Sequence, residues 1–227
     1  MKILIVSATL FEVKKLMERH DPEEVMPGRL YQTKTGRLEV TFLATGIGLL
    51  QTSFHLGKEF GRVSYDLSIN AGICGTYQEN IPLGSVLHVT EESLPELGFE
   101  ENGTVYPFFN LGLISPDAYP FEGGKLVNTL FPGYGSLAAL KKVRGNSVST
   151  LHTDPEKIER MLSVFPAEVE SMEGAGFLFG CLHEKIPCAQ IRAVSNCVGE
   201  RDKGKWEIRL ALENLDAVLR KLLEEIR

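Results

Sequence analysis

A chain of 227 residues, 43% hydrophobic and 24% charged, can bury a substantial core and is too apolar for a disordered segment. Its net charge of −6 argues against nucleic acid or an anionic membrane as the principal partner, so an anionic group on a substrate would have to meet local Arg, Lys or backbone N–H groups. No apolar run reaches the roughly 18 residues that a membrane-spanning helix needs.

The opening MKILIVSATLFEV starts with an aliphatic run, Lys2 to Val6, too short for a helix and typical of a strand buried on both faces. Glu12, Lys14 and Lys15 break the apolar stretch and no small-residue cleavage pattern follows, so it reads as a first strand and not as a signal peptide. Leu10 to His20 predicts a helix with Leu10, Val13, Leu16 and Met17 on one stripe, stopped at Asp21-Pro22. Tyr31 to Lys34 and Arg37 to Thr45 predict a strand pair around the turn Thr35-Gly36. Thr45-Gly46-Ile47-Gly48 leads into a helix over Leu49 to Phe60. Asp66 to Ala71 predicts a buried strand ending at a glycine turn, Gly72-Ile73-Cys74-Gly75, and Ser85 to Thr90 the strand after it.

Glu91 to Phe131, scattered with Gly, Pro and aromatic residues, reads as loop with short elements, of the kind that covers sites. Ser147 to Thr150 predicts a short strand, and Asp154-Pro155 the capped start of a helix. Met172 to Glu184 reads as a small-residue helix, Pro187 to Val194 as a strand and Trp206 to Ile226 as a long amphipathic helix. The alternation predicts an α/β fold: a central mixed, largely parallel sheet flanked by helices in three layers, with residues 1–227 forming one domain. Cys74, Cys181, Cys188 and Cys197 lack C-x-x-C spacing and read as buried free thiols in a reducing cytoplasm.

Functional groups in such sheets collect at the carboxyl ends of strands. Four junctions stand out there: Ser7-Ala8 with Glu12 beyond, the glycine segments 45–48 and 72–75, and Ser195-Asn196. The glycine segments either present N–H groups to a ligand or are plain tight turns. Glu12, in the first turn of its helix, is favoured there by the macrodipole alone. Glu173, beside Gly and Ala at the entry to a helix that reads as buried, needs a partner or a ligand unless it too is a helix-terminus carboxylate. Arg192 inside an apolar strand calls for an acidic partner or an anionic ligand. Asn196 has donors and acceptors suited to a heterocycle edge. His20, His55, His88, His152 and His183 show no metal-ligand spacing, so no metal and no cofactor are expected. The stretch Arg201 to Lys205 reads as a solvated loop near enough to Asn196 to meet a substrate carboxylate.

Five segments in this order resemble the nucleoside phosphorylase and nucleosidase superfamily: the opening MKILIVSATLFEV, TGIG at 45–48, INAGICG at 69–75 with PLGSV at 82–86, VESMEGAGF at 169–177, and IRAVSNCVGERD at 191–202. The nearest branches are the methylthioadenosine/adenosylhomocysteine nucleosidases and, nearer still, the futalosine hydrolases of menaquinone biosynthesis. The resemblance implies an enzyme that hydrolyses an N-glycosidic bond. Glu12 matches the water-activating carboxylate, and Met172 and Glu173 match the pair that packs on and holds the ribose. Ile73, Cys74 and Gly75 match the turn beneath base and sugar, and Arg192 the arginine supporting the site from behind. Ala8, Gly46 and Ser195 complete the expected substrate contacts. Partners are then a nucleoside and water, in a homodimer or larger homo-oligomer.

Asn196 stands where the adenine-specific branch has an Asp that protonates N7. Asn is a poor general acid, but its oxygen can take N7–H and its amide can donate to O6 of a 6-oxopurine, whereas adenine would set amine against amine. The expected substrate is therefore a 6-oxopurine nucleoside, futalosine first. Three rivals remain: an aminofutalosine or methylthioadenosine nucleosidase, a purine nucleoside phosphorylase, and a non-catalytic nucleoside-binding protein. The phosphorylase would need arginines on the sugar's far face, and Leu49, Leu50 and Gln51 follow Gly48 instead. The 5′ pocket is sought in Tyr106 to Phe109 and in the basic stretch after Asn196.

Overall fold

The computed structural model describes residues 1–101 and 104–226. The chain begins β1 (Lys2–Ser7), α1 (Leu10–His20), β2 (Glu23–Met26), β3 (Leu30–Thr35), β4 (Leu38–Ala44), α2 (Leu49–Phe60) and β5 (Leu67–Thr76). It continues through β6 (Val86–Ser93), β7 (Gly98–Glu101), β8 (Thr104–Pro107), β9 (Phe121–Glu122), β10 (Lys125–Val127) and α3 (Gly135–Ala138). The last part holds β11 (Lys141–Ser147), α4 (Pro155–Val164), β12 (Val169–Ser171), α5 (Gly174–His183), β13 (Cys188–Cys197) and α6 (Ile208–Ile226).

The sheet is mixed and largely parallel, as expected. β1 runs parallel between β4 and β5, β13 runs parallel to β5, and β11 runs parallel to both β12 and β6. Two antiparallel pairs, β12 with β5 and β13 with β6, bend five strands back on themselves. The path β5–β12–β11–β6–β13 returns to β5, so half of the sheet closes into a ring while β1, β4, β3 and β2 extend from it.

Burial follows the two-residue period of a strand. Ile3 and Ile5 of β1 join a cluster with Val13 and Leu16 of α1 and Ala211, Leu215 and Leu219 of α6. Leu4 and Val6 face the other way, against Leu56 of α2 and Phe177, Leu178 and Cys181 of α5. Helices thus cover both faces. A third cluster fills the ring with Cys74, Leu87, Val89, Val143, Val169 and Val194, drawn from all five of its strands.

α1 and α2 have the predicted limits, and Asp154 caps α4 by accepting from Glu156 N at 3.0 Å. Three elements differ. β5 does not end in a turn at Gly72: it runs on to Thr76, paired with β13 throughout. Glycine here marks a close approach, because a Cβ on Gly72 would lie 2.6 Å from Arg192 Nη1 and 2.7 Å from Glu12 Oε1. The strand expected at Ser147 to Thr150 lies earlier, at β11. Its buried Asn146 and Ser147 are polar residues bonded to Phe165 O and Glu92, so it lacks the apolar pattern of a strand. Likewise, β13 runs past Val194 through Ser195 and Asn196, with a register shift between Val194 and Asn196.

β2 was missed because its residues are mostly exposed and carry no apolar period. The 91–131 region contains β7 to β10, and residues 102 and 103 of it lie outside the described residues. All four cysteines are free: Cys74, Cys181 and Cys188 are buried, but Cys197 is exposed. Among the described residues no helix is long and apolar enough to cross a membrane. Phe42 of β4 is fully buried in the first cluster; Phe42→Ala should cost about 3–5 kcal/mol in denaturant unfolding, read as a lower midpoint at unchanged slope.

Candidate active site

The turn from β1 into α1 sets Glu12. Thr9 is the N-cap in extended backbone, and its N–H donates to Glu12 Oε2 at 2.9 Å, the reciprocal half of a capping box. The other oxygen, Oε1, accepts from Ile73 N at 3.2 Å. Glu12 therefore bridges the start of α1 to the backbone of β5. Loss of water around the carboxyl raises its pKa above the ordinary value of 4.5; Arg192 and the N–H of Thr9 oppose this, and the charge of Glu173 adds to it.

Glu173 is the N-cap of α5, immediately after β12. Its Oε1 accepts from Gly48 N at 3.2 Å and its Oε2 from Arg192 Nη1 at 3.3 Å. The side chains of Arg192 and Glu173 are 1% and 8% exposed, so this is a buried ion pair. Arg192 Nη1 also reaches Ile73 O at 3.4 Å, while its Nε and Nη2 have no hydrogen-bond partner among the described residues. The two glycine segments do supply N–H groups, but to Glu173 and Glu12. Gly46 N–H goes to Ala8 O at 2.9 Å.

Beneath Glu173 lies a carboxylate that the sequence reading missed. Glu92 is fully buried at the start of α5, accepting from Gln190 Nε2 at 2.5 Å and Ser147 Oγ at 2.9 Å. Ser147 Oγ in turn accepts from Ala175 N at 2.7 Å. Burial pushes the Glu92 carboxyl up to about 7, with Arg192 and its hydrogen bonds pulling it down. A Cβ on Gly174 would run into the Glu92 carboxylate, which fixes glycine at the head of α5.

These groups back a cleft of about 540 Å³, a size suited to a nucleoside. Ala8, Glu12, Ile73, Cys74, Gly75, Met172, Glu173, Ser195 and Asn196 all line it, from four separate parts of the sequence. Gly46 and Arg192 do not. Gly46 adopts φ +91° and packs on the Gln51 side chain, and Arg192 stands behind the wall. Burial pushes the Cys74 thiol up to about 12, so it packs as an apolar group and not as a nucleophile. Asn196 Nδ2 donates to Cys197 O at 3.0 Å, and its Oδ1 accepts from Ser195 Oγ at 2.8 Å.

Opening the cleft outward are Phe11, Ile47, Trp206 and Ile208, with Arg201 and Lys203 among them. Of the two regions considered for this end, the basic stretch is present. Tyr106 to Phe109 is not: Tyr106 stacks on Phe99 and Phe109 packs on Phe121. Glu170, also in the wall, lies on β12 and was not singled out in the sequence. Among the described residues no group of three or more His, Cys, Asp or Glu side chains is placed to hold a metal.

The futalosine hydrolase of Thermus thermophilus is 31% identical over 187 residues, 81% of either chain. A 5′-methylthioadenosine/S-adenosylhomocysteine nucleosidase of Tolumonas auensis is 24% identical over the whole of both chains. Among solved structures, the nucleosidase of that name from Colwellia psychrerythraea in complex with adenine superposes with a TM-score of 0.79 at 20% identity, covering 99% of this chain and 95% of that one. The model of the phosphorylase superfamily matches residues 2–226, and the chain belongs to that superfamily.

Proposed function

We propose that this enzyme, an N-glycosidic-bond hydrolase, acts on a 6-oxopurine nucleoside, with futalosine as the substrate and hypoxanthine as the leaving base, a step of menaquinone biosynthesis in the cytoplasm. The observation that carries the reading is the setting of Asn196. The Cys197 carbonyl can only accept, so it draws Nδ2 and leaves Oδ1 on the opposite side. One N–H and one lone pair remain, the pair that O6 and N7–H of a departing 6-oxopurine require. The likeness to the Thermus thermophilus futalosine hydrolase supports the same choice.

In this mechanism the N-ribosidic bond stretches, positive charge grows on the sugar, and the base leaves with negative charge. Glu12, ionised, deprotonates a water on the face opposite the base; this implies inversion at the anomeric carbon. Glu173 orients the 2′-hydroxyl and stabilises the cationic sugar, itself held in place by Arg192 and Gly48 N. Met172 packs on the ribose. At the outer end Phe11, Trp206 and Ile208 offer an apolar slot and Arg201 and Lys203 offer cations, the combination that an aromatic carboxylate at the 5′ position needs.

Water is favoured over phosphate because the lysine and arginine side chains that line the cleft, Arg201 and Lys203, come from an exposed segment, Arg201 is bonded to Thr153, and Arg192 is engaged by Glu173. Ile47, Leu50 and Phe54 form an exposed apolar stripe around the start of α2, the kind of surface that a homo-oligomer covers.

Base release from futalosine, aminofutalosine, inosine and methylthioadenosine, assayed without phosphate, tests the reading. Hypoxanthine from futalosine should be released fastest, adenine from methylthioadenosine roughly a hundredfold or more slowly, and added phosphate should change neither. Adenine release as the faster reaction would overturn the substrate. Glu12→Gln should abolish turnover while calorimetry still detects ligand binding; a normal kcat would remove Glu12 from its role. Because burial raises the Glu12 pKa and only the ionised form is a base, kcat/KM should fall as pH drops, with a midpoint above the ordinary carboxylate value of 4.5. Gly72→Ala, which drives a methyl between Arg192 and Glu12, should lower kcat by roughly a hundredfold in a protein whose far-ultraviolet circular dichroism is unchanged.

A further inference from the structure

Glu170 differs from the other acidic side chains around the cleft. Glu12 and Glu173 each have both oxygens occupied by N–H donors, and Glu92 is held by Gln190 and Ser147. Glu170 is 4% exposed, yet its carboxylate receives one hydrogen bond among the described residues, from Tyr77 Oη to Oε2 at 2.7 Å. No Lys or Arg pairs with it among the described residues. Its second oxygen, Oε1, has no donor among the described residues and is not sealed from solvent, and the residue lies in the wall of the cleft.

Its place relative to Asn196 is set by the sheet. β12 runs antiparallel to β5 with Glu170 opposite Gly75, and β13 sets Asn196 opposite the same Gly75 from the other side. A Cβ on Gly75 would sit 2.9 Å from Val198 Cγ2, 3.3 Å from Asn196 Nδ2 and 3.6 Å from Glu170 Cγ. The bare α-carbon therefore lies between the side chains of Asn196 and Glu170, with a methyl of Val198 against it. On a 6-oxopurine, the group next to O6 along the ring edge is N1–H, a donor. On adenine the same atom is an acceptor.

We propose that Glu170 is a specificity-determining residue whose free carboxylate oxygen accepts N1–H of the base, so that Asn196 and Glu170 together read N7, O6 and N1. The inference rests on the 6-oxopurine reading above. Tyr77 is the positioning residue, fixing one oxygen and turning the other toward the cleft.

The groups around Glu170 are Tyr77 at the end of β5, Asn196 on β13, the charge of Glu96 after β6 and His152 in the cleft wall before α4. Burial first, then Glu96, raise its pKa to about 7 against the pull of the Tyr77 hydroxyl. Above that pH the carboxylate accepts N1–H. Below it the carboxyl carries a proton and can donate to N1 of an aminopurine, so the preference for the oxopurine shrinks as pH falls.

The test is the ratio of kcat/KM for futalosine to that for aminofutalosine, measured from pH 5.5 to 8.5 in the wild type and in Glu170→Gln, with Tyr77→Phe alongside. The wild-type ratio should rise through about pH 7. In Glu170→Gln it should fall by roughly tenfold or more and become flat with pH, mostly through KM for futalosine, because Gln can donate to or accept from N1. Tyr77→Phe should keep the sense of the preference. Equal loss on both substrates, or an unchanged ratio, would overturn the role of Glu170. A wild type that prefers aminofutalosine at every pH would overturn the 6-oxopurine reading itself, before the variants are compared.

Discussion

A guanidinium almost wholly cut off from water stands at the centre of this molecule. Arg192 lies on β13, a strand held on both sides within the closed ring, where a cation alone would cost several kcal/mol in desolvation. Glu173 compensates it directly, and Glu12 faces it across the missing side chain of Gly72. Around this one charge the structure arranges two carboxylates of different character. One is in contact with the cation; the other feels it at longer range, as a partial offset to its own burial. Remove the cation and both acids are left in a dry wall with no counter-charge.

The inward residues of β13 explain how a polar centre fits an apolar fold. Cys188 joins the cluster under α5 and Val194 the cluster inside the ring; between them Gln190 and Arg192 face the head of α5. Glu92 and Glu173 gather there, where the unsatisfied N–H groups of a helix start favour negative charge. Polar groups thus form a short column between two apolar clusters, and glycine at 72 and 174 makes the space for it.

Much of this was legible in the sequence. The period of Leu10 to Leu16, the Asp154-Pro155 cap and the aliphatic run of β1 mark elements that are where they were expected, because each is a local signal. Glu12, Met172, Glu173, Ser195 and Asn196 do converge on one cleft. What was not legible depends on partners distant in sequence. Gly72 reads as a turn because glycine usually ends a strand, and only the position of Arg192, 120 residues on, shows that it is there for clearance. β11 was displaced because its buried residues are satisfied by polar contacts from Glu92 and Phe165. Glu92 and Glu170 were passed over because a glutamate in a strand gives no sign of burial until the ring closes over it. The aromatic run at 106–109 satisfies itself against Phe99 and Phe121.

Glu12 joins two parts of the chain that are otherwise separate: one oxygen holds the N–H of Thr9 at the entry to α1, the other the N–H of Ile73 in β5. A carboxylate can accept on both oxygens. An amide has one acceptor and would turn a donor toward the second N–H; aspartate, a methylene shorter, could not keep the same span. Position 12 is therefore constrained by architecture, apart from the role as a base proposed for it. A descendant that gave up cleavage would still be under pressure to keep this side chain, and the glutamate would persist there as a structural strut.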